Sequence, residues 1–272
     1  MNSDPEMTQP TVLERPLNHH YGERVHLLED PWTRTALARL SSPGTGTAEM
    51  IPLVRALYHR LLFRALEDGL PSCVGQATSR MAELHPEGGV WNETLIDPSV
   101  RLVIVDVIRG GIVPAQVCFE LLAALLPPES VRLDHLNMAR VADASGTVIG
   151  ADLSGSKIGG PVEGATLLFP DPMGATGSTM LTALEHYIEH HGRPSRVIAM
   201  PMICTPEFLR ALLPRFDELR VVTGRIDRGL SDKDVLDSLP GAHWDRERGL
   251  DDRCYIVPGA GGVGELLNQS WC

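Results

Sequence analysis

Lysine is almost missing from this chain. Of its 24 basic residues only Lys157 and Lys233 are lysines, and the rest are arginines. Codon usage in a GC-rich genome explains that bias, and no function is drawn from it. Positive charge as a whole is scarce. The 24 basic residues face 35 acidic ones, for a formal net charge of -11. A field of that sign repels phosphate backbones and argues against nucleic acid as a partner. A small phosphate can still bind where a few arginines and backbone N–H groups converge. The tryptophans (Trp32, Trp91, Trp244 and Trp271) are too scattered to form a stacking platform for bases. The five cysteines (Cys73, Cys118, Cys204, Cys254 and Cys272) are odd in number and show no CxxC spacing. That argues against a disulfide framework and a structural zinc site, and it suits a reducing cytoplasm. No apolar run approaches the ~18–20 residues needed to span a bilayer, so no membrane partner is expected. The acidic, polar start from Met1 to Pro10 lacks the charged-then-apolar layout of a signal peptide.

What is present reads as a soluble α/β protein. Hydrophobic residues make up 43% and charged residues 22% of 272 residues, enough for one domain with a sizeable core. Residues 1–24 show no period and are expected to form an N-terminal arm, with a single domain over 25–272. A short helix is expected over Leu27–Leu40. A longer one starts at Thr47, where Met50, Leu53, Val54, Leu57, Leu61 and Leu62 recur at three- and four-residue spacing, and it stops at Gly69-Leu70-Pro71. Residues 72–99 suggest irregular chain with a short strand or two. Strand and helix then alternate. Strands are expected at 101–108, 131–138, 165–169, 196–203, 219–226 and 254–257. Helices follow 111, 178 and 205, and the polar stretch 139–160 suits a mobile loop or hairpin. This order implies a mainly parallel sheet flanked by helices, with an N-terminal helical extension. Ligands of such sheets bind beyond the carboxyl ends of the strands. Three glycine-rich loops fall there, at 109–111, 170–178 and 258–264.

The segment Phe169-Pro-Asp-Pro-Met-Gly-Ala-Thr-Gly-Ser-Thr179 follows a buried strand and opens an amphipathic helix. Its small residues let backbone N–H groups turn toward one point, and the helix N-terminus adds the positive end of its dipole. Thr176, Ser178 and Thr179 add hydroxyls. Together they make a cradle for a phosphate. Asp171, at the strand end, suits ribose hydroxyls or a hydrated cation. A bare Thr-Gly-Ser turn would be read as simple helix capping; the length of the segment argues for more.

That segment resembles the loop that holds 5-phosphoribosyl-1-pyrophosphate (PRPP) in the uracil phosphoribosyltransferase family, Asp-Pro-Met-Leu-Ala-Thr-Gly-Gly-Ser. It matches at Asp171, Pro172, Met173, Ala175, Thr176 and Gly177. Further segments match in order. Val107-Ile-Arg-Gly-Gly111 is similar to Ile-Leu-Arg-Ala-Gly, Asn137-Met-Ala-Arg140 to Met-Tyr-Arg, and Ile226-Asp-Arg-Gly-Leu230 to Ile-Asp-x-Gly-Leu. Tyr255-Ile-Val-Pro-Gly-Ala-Gly-Gly-Val-Gly-Glu265 is similar to the family's uracil-reading loop. The resemblance implies a type I phosphoribosyltransferase fold. It also implies transfer of the phosphoribosyl group from PRPP to a nitrogen of uracil or a related base, with release of pyrophosphate. It gives Arg109, Arg140 and Asp171 catalytic roles. PRPP would be held by these three with Gly110, Pro172, Met173, Gly174, Ala175, Thr176, Gly177, Ser178, Thr179 and Gly262. Ile256, Gly261, Gly262 and Val263 would read the base. Mg²⁺ is implied as cofactor, held mainly by PRPP with Asp171 as the candidate side-chain ligand, and so is a homodimer or higher homo-oligomer.

The chain departs from that pattern mainly on the base side. Gly262 stands where the family has an Asp, and Glu265, three residues on, need not point inward. Gly174 replaces a Leu, which is expected to loosen the loop, and Ser178 replaces a Gly, which requires a negative φ. A different heterocyclic acceptor, or a PRPP-binding regulator without turnover, are the alternatives. Other motifs carry less. Gly259-x-Gly-Gly-x-Gly264 lacks the βαβ context of a dinucleotide fingerprint. His186, His190 and His191 read as a solvated helix face, Cys204 and Cys254 as small buried hydrophobes at strand ends, and Asp106 as a buried structural acid with a partner.

Overall fold

The computed structural model describes residues 18–67, 70–142 and 148–270, with 139–142 and 148–151 described by backbone alone. The strands are β1 (Val25–Leu27), β2 (Ser72–Thr78), β3 (Val90–Ile96), β4 (Leu102–Ile108), β5 (Val131–Ala142), β6 (Val148–Lys157), β7 (Thr166–Phe169), β8 (Met173–Gly174), β9 (Arg196–Ala199), β10 (Ile203–Cys204), β11 (Leu219–Thr223) and β12 (Arg225–Ile226). The helices are α1 (Pro31–Leu40), α2 (Thr47–Glu67), α3 (Ile112–Ala123), α4 (Ser178–His191), α5 (Pro206–Leu212), α6 (Lys233–Leu236) and α7 (Val263–Asn268). Seven strands form one sheet in the order β1-β11-β9-β7-β4-β5-β6. All neighbours run parallel except β5 and β6, which pair antiparallel. The expected mainly parallel sheet flanked by helices is what the chain forms.

The strands read as continuous apolar runs because both faces are covered. Side chains alternate across the sheet. Leu102, Ile104, Leu168, Ile198 and Val222 point to a core shared with α1, α2 and α3, while Val103, Val105, Leu167, Val197 and Val221 point to a second core under α4 and α5. The buried carboxylate of Asp134 fastens the root of the β5–β6 hairpin. It accepts from Arg132 Nε at 2.9 Å, Gly159 N at 2.9 Å and Tyr187 Oη at 2.9 Å. Asp106 has the partner expected of it: His135 Nδ1 donates to its Oδ2 at 2.8 Å. Burial raises the Asp106 pKa, and the His135 bond partly offsets that.

Several element boundaries differ from expectation. The helix expected from Leu27 begins only at Pro31, because Asp30 caps it through Thr33 N and proline suits the first helical position; the preceding Val25–Leu27 is an edge strand. The helix expected over 206–216 ends at Leu212. The strands expected at 196–203 and 219–226 each break in two. Pro201 cannot donate to a ladder, and beyond it Met202 N and Ile203 N bond Pro172 O instead. Gly224 allows the second break, since a Cβ there would strike Leu37 of α1. The displaced pieces β10 and β12 join β8 in a separate three-stranded parallel sheet at the carboxyl ends of the main strands. Residues 254–257 form no strand; only a single bridge joins Leu250 and Ile256. The glycine-rich tail ends in helix α7, where the sequence suggested only loop. The expected N-terminal arm lies outside the described residues as far as residue 17. Its end packs on the body, where Tyr21 Oη donates to the buried Glu247 carboxylate at 2.5 Å. Among the described residues no helix is long and apolar enough to cross a membrane.

Candidate active site

The small sheet carries the start of the candidate phosphate loop. Met173 and Gly174 pair with Ile203 and Cys204. Thr205 N donates to Gly174 O at 3.0 Å, and Thr205 Oγ1 donates to Ala175 O at 2.7 Å while also capping α5 through Phe208 N. A Cβ on Gly174 would fall 2.9 Å from Cys204 Cβ and 3.0 Å from the Phe208 ring. Glycine therefore packs this loop tightly, where the sequence suggested loosening. Gly177 takes the left-handed conformation (φ +81°) and starts α4. Ser178 lies in the helix, so its φ is negative as required. Ser178 N donates to Thr176 Oγ1 at 3.2 Å, and the two hydroxyls lie 2.9 Å apart. The N-terminus of a 14-residue helix thus opens on a ring of hydroxyls and backbone N–H groups. Tyr58 lies buried nearby; burial and the charge of Asp171 raise its pKa well above the ordinary phenol value.

Beside this loop, β4 ends in a turn at Arg109-Gly110-Gly111. The Ile108–Arg109 peptide is cis. A Cβ on Gly110 would lie 3.3 Å from Pro172 Cγ, so the two loops touch. Arg109 Nη1 donates to Ser270 Oγ at 2.9 Å and to Ser270 O at 3.0 Å, which ties the chain's last described turn to the β4 loop.

The third wall is residues 254–265. A bidentate pair holds its base. Arg225 Nε and Nη2 bond the two Asp227 oxygens at 2.6 and 2.9 Å. Asp227 Oδ2 in turn accepts from Gly259 N at 2.8 Å, and Arg225 Nη2 donates to Gly259 O at 3.0 Å. Gly259 and Gly261 have φ of +63° and +70°, values that favour glycine. Asn268 Nδ2 donates to Gly264 O at 2.8 Å, and Thr47 Oγ1 to Leu266 O at 2.8 Å, docking α7 between this wall and α2.

The three loops enclose a cleft of about 530 Å³. The residues singled out in the sequence converge on it: Arg109, Gly110, Asp171, Met173, Ala175, Thr176, Gly177, Ser178 and Thr179 on one side, and Ile256, Gly261, Gly262 and Val263 on the other. Pro172 and Gly174 are buried behind that lining. Arg140 stands on β5, and its side chain lies outside the described residues. Outside the site residues expected from the sequence, Val107, Ile108, Met138, Met180, Phe208, Cys254, Tyr255 and Gly264 also line the cleft, and of these nothing in the sequence singled out Met180 and Phe208. Glu265, which the sequence left free to point away, lines it too. Cys254 is neither on a strand nor fully buried; it turns the chain at φ +61°. Cys204 is the buried hydrophobe expected, with its thiol pushed up to about 12 by burial. Among the described residues no cluster of three or more His, Cys, Asp or Glu forms a metal site; the His186 ring meets His190 edge-on and His191 at a tilt.

Comparison with known proteins converges on one family. Residues 27–246 match the family model described as uracil phosphoribosyltransferase. The uracil phosphoribosyltransferase of Thermococcus sibiricus is 38% identical over 76 residues, 28% of this chain and 32% of that protein. The one from Nicotiana tabacum is 26% identical over 181 residues, 66% of this chain and 73% of that protein. The match to the archaeal relatives from Thermococcus sibiricus and Pyrococcus furiosus thus spans about a third of their length. In fold the chain is similar to the solved protein AQ2163 of Aquifex aeolicus. The TM-score is 0.68 at 20% identity, covering 89% of this chain and 97% of that one.

Proposed function

The chain belongs to the uracil phosphoribosyltransferase family, and from that premise we propose that it transfers the 5-phosphoribosyl group of PRPP to a ring nitrogen of uracil or a related heterocycle, releasing pyrophosphate. The observation that carries this reading is the convergence of the 109–110, 171–179 and 256–265 loops on one cleft at the carboxyl ends of the sheet. Its volume of about 530 Å³ suits a nucleotide-sized ligand. The 5-phosphate belongs at Thr176–Thr179, where hydroxyls and the start of α4 meet it. Asp171 faces the ribose hydroxyls. Arg109 and Arg140 belong to the pyrophosphate. The ring nitrogen forms the new bond to ribose C1 as the C1–O bond breaks and its own proton passes to solvent, and the departing electron pair goes with pyrophosphate. The chain contributes mainly position and charge.

Mg²⁺ fits this site only as the substrate's companion. Among the described residues the cleft holds two carboxylates, Asp171 and Glu265, and no closed ligand set. Mg²⁺ usually binds through substrate phosphates with one or two carboxylates, which leaves Asp171 as the side chain to meet it. When bound, the ion would neutralise charge on the pyrophosphate. We place the protein in the cytoplasm and as a homodimer or higher homo-oligomer on the family resemblance.

The test is pyrophosphate release from PRPP with Mg²⁺ against a panel of pyrimidines, purines and related heterocycles. The wild type is expected to turn over with at least one of them, and Arg109→Ala to lose most of that rate. Tight PRPP binding with no turnover on any acceptor would replace transfer by a PRPP-sensing role.

A further inference from the structure

Glu265 fills the space that a side chain on Gly262 would occupy. The chain turns left-handed at Gly261, passes Gly262 at φ -78° and ψ 76°, and enters α7. Glu265, in the first turn of that helix, folds its carboxylate back over Gly262. A Cβ built on Gly262 would overlap Glu265 Oε2 and lie 3.1 Å from its Cδ. The carboxylate lines the cleft beside Ile256 and the 261–263 backbone. Among the described residues no side chain or backbone N–H donates a hydrogen bond to it, and no arginine or lysine pairs with it. A ligand that closes this cleft takes water from that carboxylate. An ionised group stripped of water and left without a donor is strongly unfavourable. The donor therefore has to come from the ligand.

We propose that Glu265 is the acceptor-selecting carboxylate of this site. It accepts a hydrogen bond from a ring N–H or exocyclic amine of the incoming heterocycle, and Gly262 is the clearance that admits it. This rests on the transfer reading above. The backbone at 261–263 offers fixed N–H and C=O groups that match the edge of a planar amide-like ring. Glu265 adds a charged group that only accepts. An acceptor with an N–H or amine on that edge is favoured, and one that presents only carbonyls or N-alkyl groups there is rejected.

The two residues predict two variants with one phenotype. Glu265→Ala removes the carboxylate. Gly262→Ala displaces it, and because the clash falls on the far end of a flexible side chain and φ at 262 is negative, the fold should survive. Both should lower kcat/KM for the preferred heterocycle about 10- to 100-fold, the loss of one hydrogen bond to a charged group. In Glu265→Ala the calorimetric Kd for PRPP should stay within about twofold of wild type. Glu265→Gln, which keeps an accepting oxygen, should retain more activity than Glu265→Ala. Unchanged acceptor kcat/KM in Glu265→Ala would overturn the proposal. So would a PRPP Kd that weakens in step with it, since the carboxylate would then serve the ribose or its cation. A wild type that turns over no acceptor would sink the transfer reading first. The carboxylate is then tested separately, by calorimetric binding of uracil and 1,3-dimethyluracil to the pyrophosphate-saturated protein. Selective uracil binding lost in Glu265→Ala sustains the proposal, and equal binding by both proteins ends it.

Discussion

The wall at 171–179 is fixed by backbone packed on backbone, whereas the wall at 254–265 adds to a few main-chain bonds near Val257 the grip of one ion pair and a six-residue helix. In the first, the chain pairs in register with β10, Thr205 ties two successive carbonyls, and Phe208 and Cys204 press on the bare Cα of Gly174. In the second, the Asp227 and Arg225 side chains reach from the neighbouring β12 segment to grip both polar groups of Gly259. A wall made of main chain presents the same groups whatever the side chains do, and it suits an invariant ligand group such as a phosphate. A wall held by side chains can be re-aimed by exchanging a few of them, and it suits the part of a ligand that differs from one enzyme to the next.

The largest effect is expected at the ion pair that holds the base of the second wall. Asp227→Ala leaves Arg225 without its buried partner and Gly259 N without its acceptor. Loss of one partner of a buried pair costs about 3–5 kcal/mol, and the partial exposure of Arg225 places this pair near the lower figure. Urea unfolding measures the loss. If the walls are separately held, the KM for the acceptor should rise well beyond any change in the Kd for PRPP. Equal damage to both ligands would break the division.

Next comes the packed wall. Gly174→Leu forces a side chain into Cys204 and Phe208 and should lower stability by about 1–3 kcal/mol, as overpacking does. PRPP binding by calorimetry should fall with it. A Leu variant that binds PRPP normally would show that the contact at Gly174 does not shape the loop. Thr205→Ala should have a smaller effect, about 1 kcal/mol for a lost helix cap. It also frees Ala175 O, so PRPP affinity should weaken while acceptor preference stays as it was.

The smallest effect concerns acid. Helix α1 underlies the second wall: Leu37 and Thr33 pack at Gly224, and Ser41 Oγ accepts from Arg225 at 3.3 Å. Asp30 caps α1. Burial acts to raise its pKa, but the Thr33 hydroxyl and amide and the Arg60 guanidinium outweigh that and bring it to about 2, below the ordinary 3.8. A carboxyl depressed in the folded state contributes stability above pH 3.8 and loses it as pH falls toward 2. Between pH 4 and pH 2 the wild-type melting temperature should therefore drop further than that of Asp30→Asn. Parallel curves would remove α1 from the account of how the second wall is held.

The wall at 171–179 was legible in the sequence for the same reason that it is rigid. Its conformation is written locally, in a buried strand, a run of small residues and the start of an amphipathic helix. The apolar strands and their helices were legible too, down to the ends of β4, β7 and α4 within a residue or two. What escaped the sequence depends on contacts between distant segments. The breaks at Pro201 and Gly224 look like ordinary strand interior until β8 supplies a second sheet for the pieces to join. Gly174 reads as slack until Phe208, more than thirty residues on, is seen to lie against it. Glu265 reads as a loop residue that need not point inward until the left-handed turn at Gly261 brings it back over Gly262.

The bond between Arg109 and Ser270 gives an experimental handle. A residue that reaches the mouth of the cleft, as Ser270 does, is a place to attach a reporter. A fluorophore coupled through Ser270→Cys would sit within a side chain's reach of Arg109. If a polyanion draws that guanidinium away, the reporter loses its neighbour, and occupancy can be followed by light without any chemistry taking place.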